Sequence, residues 1–512
     1  MRKYNRRDFV RLCTAALGTS VAPLSLLYSR AAAGDCLING ASNGFGPLAQ
    51  AIPLNTYDLG QTGPGDLVGQ ALLQLPPGFV YTAFSITGQT MSDGTLVPGD
   101  HDGMACYPFA FRGYYSEAET LRRRKEGVNL PAGRPPPSLL YFLVRNHELS
   151  PNENEFGNTL GVVGSEDKKY DPMVNGGGTT TLVVDFKGKL IADFPSLAGT
   201  IRNCAGGPTP WNTWISCEED VRTPATTSSV SVPHGYNFEV PVFNRNMVKA
   251  EPLVEMGRFN HEAIAVDPET GYVYETEDRG DGAFYRFVPR VKPEKYGDLQ
   301  QGGDLYAMVI DPDQFADCDM TPLPVTTSPG GSDLVNTSAG LSSFLGQPLS
   351  VGWVKLNNVD PAGDTLRFEA QFFGAAIFDR GEGMWYADGL IYFVCTSGGV
   401  SRNGQVWAYD PKRETVTLLV ESTSSADLDN ADNITVAPDG TLYLCEDASS
   451  ADVVGVDKLG RLFKFARNNY DNSEFAGACF SPDGCLMFVN QQGPGITYCI
   501  FREDGMPIDV PV

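Results

Sequence analysis

DNITVAPDGTLYLCED, residues 432–447, opens on an acid, runs through a short apolar strand, and reverses at Asp439-Gly440. It then runs through a second apolar strand and ends on Glu446 and Asp447. Short alternating runs on either side of an Asp-Gly dipeptide are the signature of a β-hairpin. The same plan returns in EAIAVDPETGYVYETED (262–278), EGMWYADGLIYFVCTS (382–397) and FAGACFSPDGCLMFVNQ (475–491). TTTLVVDFKGKLIADF (179–194) reads as two strands around Lys187-Gly188, and GQVWAYDPKRETVTLLVE (404–421) as an outer hairpin. VYTAFSI (80–86) and SLLYFLVRN (138–146) read as single strands. Repeated strand pairs without helical periodicity predict an all-β chain folded as a β-propeller, and its length suits about six blades. An unrelated β-sandwich with common hairpin turns is the alternative. Residues 116–126 (SEAETLRRRKE) are the best helix candidate and peripheral, and 313–346 reads as an insertion loop.

The 512 residues carry 38 basic and 62 acidic side chains, a formal charge of −24, which leaves no basic stripe for a nucleic acid. The 56 glycines and 36 prolines fit a turn-rich fold. At the N-terminus Arg6-Arg7 and Phe9 precede a modestly apolar run and Ala31-Ala32-Ala33. That order predicts a twin-arginine secretory signal over 1–33, with residues 34–512 as a single propeller domain in the periplasm or outside the cell. A membrane anchor is the other reading of the run, although Gly18, Ser20, Pro23 and Ser25 interrupt it. The export machinery is then a partner, and a monomer is expected. Among the 11 cysteines no CxxC or Cys/His zinc pattern occurs, and some near the C-terminus, Cys479, Cys485 and Cys499, are candidates for pairing.

Acids recur at the strand ends of these repeats. Glu148 follows an apolar strand, Glu218 and Glu219 end another, and Glu262 opens a hairpin that Glu277 and Asp278 close. Glu382 heads its repeat two residues after Arg380, and Asp432 heads the next, which closes with Glu446 and Asp447. Singly, each reads as a solvated strand end. Gathered in a propeller channel, they would repel one another strongly unless cations sat among them. Oxygen donors in such number suit Ca²⁺. Cys204, on the turn of RNCAGGPTPWNTWISCEED (202–220), adds a softer donor that favours iron or another transition metal; otherwise it is a small buried hydrophobe. Arg279 and Arg380 are candidate phosphate clamps, or partners for neighbouring acids. No GxSxG, HExxH, P-loop or dinucleotide fingerprint is present.

The chain resembles the PhoX-type alkaline phosphatases. The resembling segments include MSDGTLVPGDHDGMACYP (91–108), LVRNHE (143–148), RNCAGGPTPWNTWISCEED, GRFNHEA (257–263) and VYETEDRGDGAFYRFVP (273–289). FDRGEG (378–383), DNITVAPDGTLYLCED and NQQGPGITYCIF (490–501) continue the series. The resemblance implies an exported six-bladed propeller that hydrolyses phosphate monoesters at a cluster of Fe³⁺ and Ca²⁺. It also implies metal-binding roles for Cys204, Glu218, Glu219, Glu262, Glu277 and Glu382, with Arg380 on the substrate phosphate. Gly381 stands where the family's motif has proline, Asn212 where glycine is common, and NQQGPG replaces NIQHPG; these departures are expected at loops framing the site. A calcium-dependent lactonase or phosphodiesterase, and a non-catalytic calcium-stabilised binding propeller, are the rival functions.

Overall fold

The computed structural model describes residues 41–60, 62–110, 139–151, 154–155, 158–159, 161–313 and 323–509. The expected signal (1–33) and helix candidate (116–126) lie outside them.

Turn chemistry sets the hairpins. Asp388 and Gly389 both have positive φ, +50° and +86°, as a two-residue hairpin turn of matching twist requires, and they join Gly381–Ala387 to Leu390–Cys395. Asp267 accepts from the Glu269 amide (2.9 Å) and the Thr270 hydroxyl (2.6 Å), reversing the chain between His261–Val266 and Val273–Glu277. Asp439 does the same by accepting from the Thr441 amide at 2.9 Å.

The hairpins extend into antiparallel meanders. His101–Ala110, Leu139–His147, Gly178–Asp185 and Leu190–Ala198 form one; Asn203–Pro208, Thr213–Glu218 and Asn237–Pro241 form the next. His261–Val266 and Gly381–Ala387 each begin a four-strand meander, and Pro348–Lys355 bridges those two into one nine-stranded sheet. Ala431–Val436 begins another, and Phe475–Phe480, Leu486–Gln491 and Ile496–Arg502 take Phe79–Phe84 as their fourth strand. N-terminal chain thus completes the C-terminal sheet.

The first strand of each meander lies against the first strands of its neighbours, and Phe475–Phe480 returns to His101–Ala110. The result is a propeller-like ring. Its sheets are buried on both faces: Phe284, Phe393 and Trp407 interleave between two of them, with Phe284 and Phe393 centroids 4.6 Å apart. Among the described residues the one α-helix is Leu366–Phe372, and no helix is long and apolar enough to cross a membrane. The expected insertion loop is partly structured, since Val325–Thr327 pairs with Asp333–Val335, and Val335, Leu341 and Phe344 join the core.

All eight described cysteines are free. Cys479 and Cys499 both register with Phe488, one from each side, which puts their Cα atoms about 10 Å apart, beyond reach of a disulfide.

Candidate active site

One irregularity, repeated, builds the site. In five of the inner strand pairs the register breaks after the first residue of the first strand, so two residues there oppose one on its partner. A β-bulge of this kind re-aims its first residue. Those residues are Asp102, Cys204, Glu262, Glu382 and Asp432, and all five line one cavity of about 160 Å³ on the ring's axis. In the remaining pair the break falls at Gly477-Ala478, and no ligating side chain stands there.

A second tier comes from the residue just past each second strand. Its amide donates to the carbonyl of the residue just before the first strand: Glu148 to Asp100 (2.9 Å), Glu219 to Arg202 (2.9 Å), Asp278 to Asn260 (3.2 Å), Asp447 to Asn430 (2.9 Å) and Gln492 to Glu474 (3.2 Å). These five donating residues line the cavity, as do Arg202, Arg380 and Glu474 from the accepting position; the sixth, Thr396, donates to Arg380 at 2.9 Å and does not line it. The wall therefore holds nine carboxylates and two guanidiniums.

Such a set is electrostatically unbalanced. Burial, then repulsion from neighbouring acids, pushes the carboxyls of Asp102, Glu262, Glu382 and Glu474 well above the usual range. Burial raises Glu219 to about 8 against the pull of Arg202, and Asp432 to about 6. The Cys204 thiol is driven up by burial and by Glu262 and Glu219; its Sγ lies 3.2 Å from the His261 carbonyl.

The donors fit a cation. One ligand atom each from Glu262, Glu382 and Asp432 lies within 4.8 Å of the others, and the buried Asp102 Oδ1 has no hydrogen-bond partner. An oxygen-rich set of this kind accepts hard cations, and Cys204 offers sulfur on the same wall. The guanidiniums are held by acids. Asp278 takes Arg380 in a fork, Nε at 2.8 Å and Nη2 at 3.1 Å, and Nη2 also donates to Glu382 at 2.7 Å. Arg202 pairs through Nη2 with both Glu148 and Glu219.

Of the residues singled out from sequence, Cys204, Glu148, Glu219, Glu262, Glu382 and Arg380 meet in the cavity. Glu218, Glu277 and Arg279 do not line it, which corrects their expected convergence. Glu218 and Glu277 sit one residue before the cavity position, and strand alternation turns them to the opposite face. There Glu218 accepts from the Ile201 amide (3.0 Å), the Gly235 amide (2.9 Å) and His234 Nδ1 (2.7 Å). Glu277 accepts from the Tyr285 hydroxyl at 2.7 Å and pairs with Arg367. Arg279 points along the rim to Asp364, at 3.1 Å.

Asn212 is also not beside the site. It holds φ +63° in the turn at the opposite end of its hairpin, a conformation asparagine tolerates in glycine's stead. Asp278, Asp432 and Asp447, expected among the converging strand-end acids, also line the cavity, whereas sequence reading passed over Asp102, Arg202, Glu474 and Gln492 as site residues.

Residues 61–193 and 185–495 match the model of the family described as alkaline phosphatase PhoX. The chain belongs to the PhoX alkaline phosphatase family. Pseudomonas fluorescens PhoX, solved in complex with vanadate, a transition state analogue, aligns over 92% of this chain and 99% of its own, with 16% identity and a TM-score of 0.60. At that identity the likeness speaks for the fold. A Bacteroides fragilis protein provisionally assigned as a 6-phosphogluconolactonase aligns over 69% of this chain and 91% of its own, at 14% identity. Its TM-score is 0.35. No curated protein matches the chain.

Proposed function

We propose that the protein is an exported, metal-dependent phosphatase that hydrolyses phosphate monoesters in the axial cavity. The observation that carries this reading is the bulge tier of Asp102, Cys204, Glu262, Glu382 and Asp432 in a chain of the PhoX family. Counting the nine-stranded sheet as two meanders, we read the ring as six blades of one domain spanning 34–512. Residues 1–33 would direct it through the twin-arginine route to the periplasm or beyond, as a monomer.

Glu148, Glu219, Glu262, Glu382 and Asp432 would hold Ca²⁺ and, with Cys204, Fe³⁺. Bound there, such ions neutralise phosphoryl oxygens and make a water molecule more acidic. Hydrolysis breaks the ester P–O bond and forms one to the oxygen of water, and the leaving alkoxide takes up a proton. Phosphoryl transfer needs positioning and charge neutralisation more than a protein nucleophile, which fits a cavity lined by acids and guanidiniums. Arg380 supplies the directional part. With Nε and Nη2 fixed by Asp278 and Glu382, its Nη1 is left to donate to a phosphoryl oxygen.

Protein loaded with iron and calcium is expected to release p-nitrophenol from p-nitrophenyl phosphate, and to stop after treatment with a calcium chelator. No turnover by protein shown to contain both metals would refute the reading. Calcium bound without iron, with turnover of lactones or phosphodiesters in place of monoesters, would favour its rival.

A further inference from the structure

The cavity holds a second guanidinium that the phosphate-clamp role of Arg380 does not use. Arg202 and Arg380 occupy the same structural position, the residue immediately before an inner first strand, and both have positive φ, +43° and +52°. The sheet beginning at His261–Val266 lies between them in the ring, so they face the cavity from two sides of Glu262 and Asp278. Their side chains are 35% and 33% exposed.

Two arginines buried away from the cavity make no ion pair at hydrogen-bond distance among the described residues. Arg145 and Arg258 are fully buried and rest on neutral oxygens: Arg145 on Ser85 O and Thr497 Oγ1, Arg258 on Pro361 O and Val221 O. Arg202 spends only Nη2 on its two acids. Among the described residues its Nε and Nη1 have no partner, and Nη1 of Arg380 is likewise unpaired. A guanidinium carries five N–H donors in a rigid fork suited to carboxylates and phosphates. Two such open forks in a cavity of about 160 Å³ can engage one small molecule at two points.

We infer that Arg202 is a substrate-binding residue for a second anionic group, so that this site prefers small phosphate monoesters whose alcohol part bears a carboxylate or another phosphate. The inference rests on the phosphatase reading above. Arg380 takes the phosphate being removed, and Arg202 takes the anion left on the alcohol.

The test compares phosphoglycolate with ethyl phosphate, esters of nearly equal size that differ by one carboxylate, in metal-loaded full-length protein. The wild type is expected to show a kcat/KM at least tenfold higher for phosphoglycolate, arising in KM. Arg202→Met should lower that ratio at least tenfold, and Arg202→Lys should restore part of it. Calorimetry with phosphonoacetate and ethylphosphonate, with metal content measured on each variant, should give the same ranking without turnover. A ratio unchanged in Arg202→Met, or equal losses on both esters, overturns the assignment and leaves Arg202 a partner of Glu148 and Glu219. Release of phosphate from neither ester by the loaded wild type would instead bring down the phosphatase reading itself.

Discussion

Asp432→Asn separates what the acids do for the fold from what they do for cations. Asp432 belongs to the trio whose ligand atoms lie within 4.8 Å of one another, and its carboxyl is raised from 3.8 to about 6, chiefly by burial, with Asp447 and Asp278 adding to it. A carboxyl with a raised folded pKa is a burden above its unfolded pKa. The penalty begins near pH 4, grows through pH 6, and is complete above that. At 1.36 kcal/mol per pH unit, the interval corresponds to about 1.5 kcal/mol at pH 5 and about 3 kcal/mol at pH 8. Asparagine keeps the shape and removes the charge. In chelator, urea denaturation should therefore find Asp432→Asn more stable than wild type by about 3 kcal/mol at pH 8, and by about half of that at pH 5. Adding metal should reverse the order, because only the wild type gains full binding energy; a ligand at a thousand times its Kd contributes about 4 kcal/mol. A variant less stable than wild type in chelator at pH 8 would refute the reasoning. It would mean that the cavity acids are balanced by the protein alone.

Glu277→Gln removes a buried acid that faces away from the cavity. Burial raises its carboxyl to about 7 against the pull of Arg367 and the Tyr285 hydroxyl, so by the same linkage the variant should be more stable than wild type by about 3 kcal/mol at pH 8, with metal content per chain unchanged by elemental analysis. Gly477→Ala places a Cβ 2.3 Å from the Asp102 carbonyl at φ +60°. Thermal denaturation should show a loss of at least about 1–2 kcal/mol, with weaker metal retention as Asp102 is displaced. His234 lies between Glu218 and Asp171; burial lowers its pKa, but these acids outweigh that and hold it at about 9 instead of 6.5. Its charge thus stabilises the fold fully below about pH 6.5, and that contribution fades as pH rises through 9. His234→Gln should cost on the order of 3 kcal/mol at pH 6 and far less at pH 10; a pH-independent loss would contradict this.

How much of the site could be read in advance follows from the strand period. The hairpins of 262–278, 382–397 and 432–447 announce themselves by turn residues, and each supplied a strand pair where expected. Runs of acids at their ends do not say which member faces the axis. In Glu277-Asp278 and Glu218-Glu219 the second member reaches the cavity and the first is turned away, because successive side chains alternate faces. Glu446-Asp447 repeats this: Asp447 lines the cavity while Glu446 accepts from the Asp429 and Asp452 amides, both at 2.9 Å. Choosing between neighbours needs the register, which a sequence of acids does not display.

Asp102 was hidden for another reason, since its partner strand begins at Leu139, too far along the chain to look like a hairpin. Yet a local signal was available. The bulge tier reads Asp-Gly, Cys-Ala, Glu-Ala and Glu-Gly at 102, 204, 262 and 382, an acid or thiol followed by the smallest residues, just inside an apolar run. The small residue is there because the second bulge position meets the next sheet. A Cβ on Gly103 would stand 2.6 Å from the Ala205 Cα, and one on Gly383 2.7 Å from the Asp432 carbonyl. Close approach of the inner strands is what brings their acids near enough to one another to share an ion, so the glycine or alanine after four of the five bulge residues helps to shape the cavity. Asp432 is followed by Asn433 instead, whose Oδ1 accepts from the Gly477 amide at 3.0 Å. At that junction a hydrogen bond to the neighbouring sheet replaces bare contact, and the glycine moves across to the facing strand.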